Sequence, residues 1–222
     1  MIFNPILLVR TKNNHYKPLR KIPNEKRCYQ LEKGDKEFKL VYTMDEKRIF
    51  AKSIVDQGIM LVSGGSNGFY IGNNIGTGEF INNEIGNNTA PRCKFNLPEP
   101  ITNHAFIKLN QSTSFLIGGV HKLFIPPYTY SRKTYFINSN TKEWTSGPDL
   151  KYGRVNHAAG TLIDHTTKKQ HIAVVAGWET GWANEGTTNS VELLLHGDIE
   201  WTQGILIHCF CYIFMYIMCA FW

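Results

Sequence analysis

Three glycines set at nearly equal intervals constrain this chain more than any other feature. Gly65, Gly119 and Gly177 lie 54 and 58 residues apart, and each closes a short apolar run: "GIMLVSGG" at 58–65, "SFLIGG" at 114–119 and "HIAVVAG" at 171–177. A fixed period of this size means one supersecondary unit repeated, each copy burying its apolar face against the next. Runs of about six apolar residues ended by glycine read as strands. A second series runs in step with the first. Trp144 and Trp201 are 57 apart, and both open a Trp-Thr-x-Gly. From Tyr135 the pattern continues to Trp144, Leu150 and Arg154 at steps of 9, 15 and 19, and from Tyr29 to Phe38, Met44 and Arg48 at the same steps. Leu97, Ile101 and His104 form a more worn copy of Leu150, Arg154 and His157. "TGEFI" at 77–81 likewise matches "NSVELL" at 189–194, with Glu79 and Glu192 in corresponding places.

An apolar strand, a glycine pair, then a spaced aromatic and a Trp, at a period of about fifty residues, resembles the kelch repeat family of β-propellers. The resemblance covers roughly residues 28–204, and "GPDLKYGRVNHAAG" carries it most closely. It implies an all-β fold: a partial kelch-type β-propeller of four-stranded antiparallel blades, followed by an apolar C-terminal tail that could be helical. The repeat positions it implies as structural are Gly64, Gly65, Gly118, Gly119, Gly177, Tyr29, Phe38, Arg48, Tyr135, Trp144, Arg154 and Trp201. In one blade the inner strand is expected at 155–163, with the second at 170–176, the third at 189–194 and the outer at 199–202. Ala158, Ala159 and Gly160 are expected where inner strands crowd the axis. The two tryptophans are expected to pack between blades, and Arg154 to bridge blades by a hydrogen bond or ion pair. Two departures stand out: the middle copy lacks its Trp, and Ala176 precedes Gly177 where the other copies have a glycine pair.

Third and outer strands at about 28–41, then three full blades ending near 202, make three and a half blades. Kelch propellers that begin with outer strands close when the C-terminus supplies the missing inner pair. Here that pair does not arrive, so the chain is expected to leave two open edges. Residues 1–27 form a basic lead, 28–204 the repeats, and 205–222 an apolar tail. The tail, "ILIHCFCYIFMYIMCAFW", holds no Lys, Arg, Asp or Glu. Its length nearly spans a hydrocarbon core of about 30 Å, which suggests a transmembrane anchor displaying a cytosolic domain. The absence of flanking Lys or Arg and of any linker favours the rival expectation, a reading frame that leaves the repeat at Gly204.

Chemistry is sparse. The net charge of +6 is concentrated: the first 52 residues hold 13 of the 24 basic residues against 6 acidic ones. Such a lead reads as a solvated face rather than a nucleic-acid surface. No charged n-region or cleavage site marks a secretory signal, so the sequons at Asn87 and Asn110 carry no weight. "GGSNG" at 64–68 and "GNNIGTG" at 72–78 lack the Lys and helix of a phosphate loop. No HExxH, CxxC or G-x-S-x-G appears, Asp149, Asp164, Glu179 and Glu185 are scattered, and His104 and His157 are repeat-equivalent and read as structural. No catalytic residue, metal site or cofactor is expected. Loops are where such a scaffold binds. Those at 66–78, 81–94, 120–133 and 178–189 are the longest, and Phe124, Tyr128, Tyr130, Trp178 and Trp182 are the candidate partner-binding residues. The expected function is a non-enzymatic protein-interaction module, cytoplasmic or held at a membrane by 205–222. A propeller enzyme or glycan binder is the weaker alternative.

Overall fold

A computed structural model describes residues 27–30, 36–37, 39–56, 59–68, 73–82, 93–121, 130–179, 186–187 and 190–204. The basic lead up to residue 26, Phe38, Phe124, Tyr128, Trp182 and the tail 205–222 lie outside the described residues. Among those described there is no helix, and none long and apolar enough to cross a membrane.

Strands β1 (Arg27–Gln30) and β2 (Lys39–Thr43) pair antiparallel as a two-stranded first sheet. A second sheet is built in chain order from β3 (Lys52–Asp56), β4 (Ile59–Ser63), β5 (Thr77–Asn82) and β6 (Cys93–Asn96). The third holds β7 (Ala105–Lys108), β8 (Thr113–Ile117), β9 (Thr134–Asn138) and β10 (Trp144–Ser146). Two residues, β11 (Arg154–Val155), then precede the fourth sheet, built from β12 (Ala158–Ile163), β13 (Gln170–Val175), β16 (Val191–Leu194) and β17 (Thr202–Gly204). Between β13 and β16, β14 (Trp178–Glu179) and β15 (Gly186–Thr187) join β11 in a small ladder. Each four-stranded sheet is a meander, every strand antiparallel to the one before it.

The sheets pack face to face in chain order, and β7 lies beside both β3 and β12. Three apolar layers fill the junctions. Cys28, Met44, Met60, Val62 and Ile81 lie between the first two sheets. Leu61, Phe95, Ile101, Phe106, Leu116 and Ile137 lie between the second and third. Phe115, Ile117, Leu150, Ile172, Val174, Leu194 and Trp201 lie between the third and fourth. Alternation along each strand explains the split: odd positions face one neighbour, even positions the other. Strands with neighbours on both faces therefore read as unbroken apolar runs such as Phe115-Leu116-Ile117.

The repeat spacings translate into register. Tyr29 stands opposite Leu40 and Tyr135 opposite Ser146, eleven residues onward in both cases. Glu79 pairs with Val62, Tyr135 with Leu116 and Glu192 with Val174, each strand partner lying three residues before the last glycine of its repeat. Leu97 and Leu150 are both buried at the following junction, as are Ile101 and Arg154.

Several sequence expectations shift. The stretch expected as one inner strand at 155–163 is two, because Asn156 takes a left-handed backbone with φ of 55° and breaks the pairing. Trp201 precedes the outer strand, which runs Thr202–Gly204 rather than 199–202. The expected crowding at Gly160 is absent: a Cβ built there meets nothing within 4 Å.

Candidate partner-binding site at the loop end

The start of each inner strand, the end of the second and the start of the third lie at one end of each four-stranded sheet, and there the same three-residue bridge recurs. Ile49 pairs with Ser66 and Ser66 with Asn74; Thr102 pairs with Val120 and Val120 with Tyr130. In the last repeat Val155 pairs with Trp178 and Trp178 with Thr187. The loops at 66–74, 120–130 and 178–187 are therefore closed at the base in the same way and leave from the same end. Of the sequence candidates, Tyr130 and Trp178 stand on these bridges. Trp178 is 46 % exposed, whereas Ser66 and Val120 at the matching positions are each about 1 % exposed. Tyr152, on the connection leading into β11, adds a second exposed aromatic at this end. Sequence reasoning passes over it because it sits in the repeat motif itself rather than in a long loop.

Polar ties link the connections at the bases of these loops. The Asn74 amide donates to the carbonyls of Val120 and His121, both at 2.6 Å, linking second and third sheets. His121 reaches the Pro100 carbonyl at 3.2 Å and the Glu99 carboxylate at 3.5 Å. Ser131 donates to the other Glu99 oxygen at 3.3 Å. Arg132 Nε donates to the Leu150 carbonyl at 2.6 Å.

Below these connections sit two buried ion pairs, and Arg48 and Arg154 are where the repeat placed them. Arg154 Nε donates to Glu192 Oε1 at 2.9 Å with both side chains fully buried. Its Nη1 donates to the Ala176 carbonyl at 3.0 Å, and its Nη2 meets Glu179 Oε1 at 2.8 Å. The second Glu192 oxygen accepts the Lys151 amide at 2.6 Å. Arg48 repeats the scheme, with Nη2 to Glu79 Oε1 at 3.1 Å, Nη1 to the Gly64 carbonyl at 2.9 Å, and the Asp45 amide to Glu79 Oε2 at 3.0 Å. Each guanidinium nitrogen has a partner, which is what a buried guanidinium requires. Each node clamps a connection from the preceding sheet onto the third strand of the next. The two glutamates are repeat-equivalent in the sequence, but nothing in their spacing from the arginines identifies them as partners. At the middle junction Ile101 replaces the arginine and Tyr135 the glutamate. There a carboxylate on the connection, Glu99, hydrogen-bonds Tyr135 instead, and burial is the main cause raising that phenol's pKa.

His104 and His157 line the same junctions. His104 Nε2 shares a 2.8 Å hydrogen bond with Ser63 Oγ on the preceding sheet. Burial, then the nearby Lys52 charge, pushes His104 down to about 3; burial, then Arg154, does the same to His157. Both are thereby held in the neutral form at physiological pH. Burial also drives the Cys28 thiol up to about 12, which leaves it unreactive. Among the described residues no group of three or more His, Cys, Asp and Glu side chains could hold a metal ion.

No family model matches the chain, and no curated protein matches it. Among solved structures 148 chains match. One, described as the structure of YjhT, superposes with a TM-score of 0.62 at 15 % identity, over 81 % of this chain and 59 % of that one. At that identity the likeness concerns the fold alone, and this chain spans under two thirds of its neighbour's length.

Proposed function

We propose that these sheets are successive blades of a kelch-type β-propeller and that the chain is a protein-interaction module, without catalytic activity of its own, that binds its partner at the loop end. The observation that carries the reading is the thrice-repeated bridge. It anchors the bases of three loops at the same end of successive sheets, with Trp178 and Tyr152 exposed there. Rigid aromatic side chains lose little entropy on binding and supply large contact area, the usual basis of an interface hot spot. The all-β, sheet-by-sheet architecture and the likeness to the YjhT structure support the propeller part of the reading. The neutral histidines and fully paired arginines at the junctions fit a structural role better than a chemical one.

The test is capture of partners by the full chain from a native extract, compared with a Trp178→Ala, Tyr152→Ala double variant. Both substitutions are at exposed positions, so the variant should unfold at the same denaturant concentration as the parent. Partners retained by the parent should be lost by the variant. An unchanged set of captured proteins would place binding elsewhere.

A further inference from the structure

His104 and His157 hold the same place at successive junctions but meet different groups there. A Cβ built on Gly64 would lie 3.0 Å from His104 Cε1, and one on Gly118 2.9 Å from His157 Cε1, so each ring packs over its glycine. Both residues are buried. Beside His104 the second sheet presents the cross-strand pair Lys52 and Ser63, and beside His157 the third sheet presents Ala105 and Ile117. Ser63 Oγ lies 2.8 Å from His104 Nε2 and 3.4 Å from the Lys52 carbonyl. A hydroxyl has one proton to give. Given to the nearer acceptor, it leaves the neutral His104 ring with its own proton on Nδ1, an atom without a hydrogen-bond partner. Neither ring nitrogen of His157 has one, and the Ile117 carbonyl that draws on its proton lies outside hydrogen-bond geometry.

Lys52 is the third group without an acceptor. Its ammonium is half-buried and makes no hydrogen bond or ion pair among the described residues. Burial alone moves its pKa, downward, with no carboxylate among the described residues to offset it. Its charge reaches both histidines, because β7 lies beside β3 and β12 and the three inner strands start together. Arg154, the other cation near His157, has its donors engaged already. We propose that Lys52, His104 and His157 form a binding site for one small oxyanion of the carboxylate or phosphate class, at the loop end of the inner strands. An anion supplies the acceptors that the ammonium and the ring N–H groups lack, and the charge that a half-buried ammonium lacks. Ala105 and Ala158 stand at the positions equivalent to Lys52, so the site occurs at one junction and is not part of the repeat. This inference does not depend on the partner-binding reading.

Thermal unfolding of the full chain tests the site, with sodium phosphate or sodium acetate replacing sodium chloride at constant ionic strength. At least one of the two oxyanions should raise the unfolding temperature saturably, by ~2 °C or more, and which one does so separates phosphate from carboxylate chemistry. Lys52→Met keeps the length of the side chain and removes its charge. This variant should unfold at a higher temperature than the parent in chloride, since an unpaired ammonium has gone, and should gain less than about a quarter of the parent's increment from the effective anion. Lys169→Met, on an exposed hairpin, should keep the parent's response. In the parent the ring 15N resonances of His104 and His157 should shift along the same saturation curve, and they decide the matter if Lys52→Met does not fold. No saturable response to either oxyanion, an equal response in Lys52→Met, or unmoved ring resonances would each overturn the proposal.

Discussion

The guanidinium of Arg154 shows how one side chain can hold two sheets together. Its donors serve the Glu192 and Glu179 carboxylates and the Ala176 carbonyl, with the Arg154 and Glu192 side chains fully buried and Glu179 at the edge of the node. Removing one partner of a buried pair strands the other, at about 3–5 kcal/mol, whereas replacing both with apolar groups costs far less. Arg154→Met should therefore lower the denaturant midpoint sharply, and Arg154→Met with Glu192→Leu should recover much of the loss. The middle junction offers the converse experiment. Ile101→Arg would bury a charge facing Tyr135 and should destabilise by several kcal/mol. Adding Tyr135→Glu recreates the constellation seen at Arg48–Glu79 and should restore at least half of that, read from chemical unfolding of the single and double variants. If the double variant is no better than Ile101→Arg alone, the three positions are not equivalent.

At the scale of strands and turns, the junction histidines make stability depend on pH. Their folded-state values lie near 3, below the ordinary 6.5, so the unfolded chain binds more protons between those limits. The stability they permit is complete above about 6.5 and falls as the pH drops from there towards about 3. A series of unfolding curves across that range should show the decline, and His104→Gln with His157→Gln should flatten it. Ala176 is a separate element-level weakness. A left-handed backbone at a residue with a Cβ costs roughly 1–2 kcal/mol, of which the added chain entropy of glycine returns part. Ala176→Gly should thus raise stability by about 0.5–1 kcal/mol in thermal or chemical unfolding. Gly118→Ala should be damaging, since its methyl group would meet both the Arg154 carbonyl and the His157 ring at 2.9 Å.

The described sheets form a series with unequal ends. The first sheet has two described strands, and among the described residues it offers no inner strand beside β3. Val55 is 46 % exposed and Ser53 is exposed, whereas Phe106, the counterpart of Ser53 on β7, is 7 % exposed. An edge strand that leaves an apolar side chain exposed invites association with another chain. Val55→Lys should accordingly reduce self-association of the full chain in light scattering while leaving the unfolding midpoint nearly unchanged. Equal scattering from both proteins would locate the association surface elsewhere.

The recurrence of strands and of junction residues is legible in the linear sequence, because each repeat must present the same groups to its neighbour and so repeats them at the same interval; the bridges at the loop bases are not. Tyr29 with Tyr135, Arg48 with Arg154 and His104 with His157 match by spacing alone, and each pair lies at matching places in its repeat. Glu79 and Glu192 match each other for the same reason, yet their bonds to the arginines are not readable. Spacing reports what is equivalent between repeats; which groups touch within one is decided by the turn geometry and the alternation of strand faces, which bring residues 31 or 38 positions apart into hydrogen-bond range. The exposure of Trp178 and the middle junction's exchange of a guanidinium for a tyrosine–glutamate contact belong to the same class. They are properties of packed surfaces, fixed only when one sheet lies against the next.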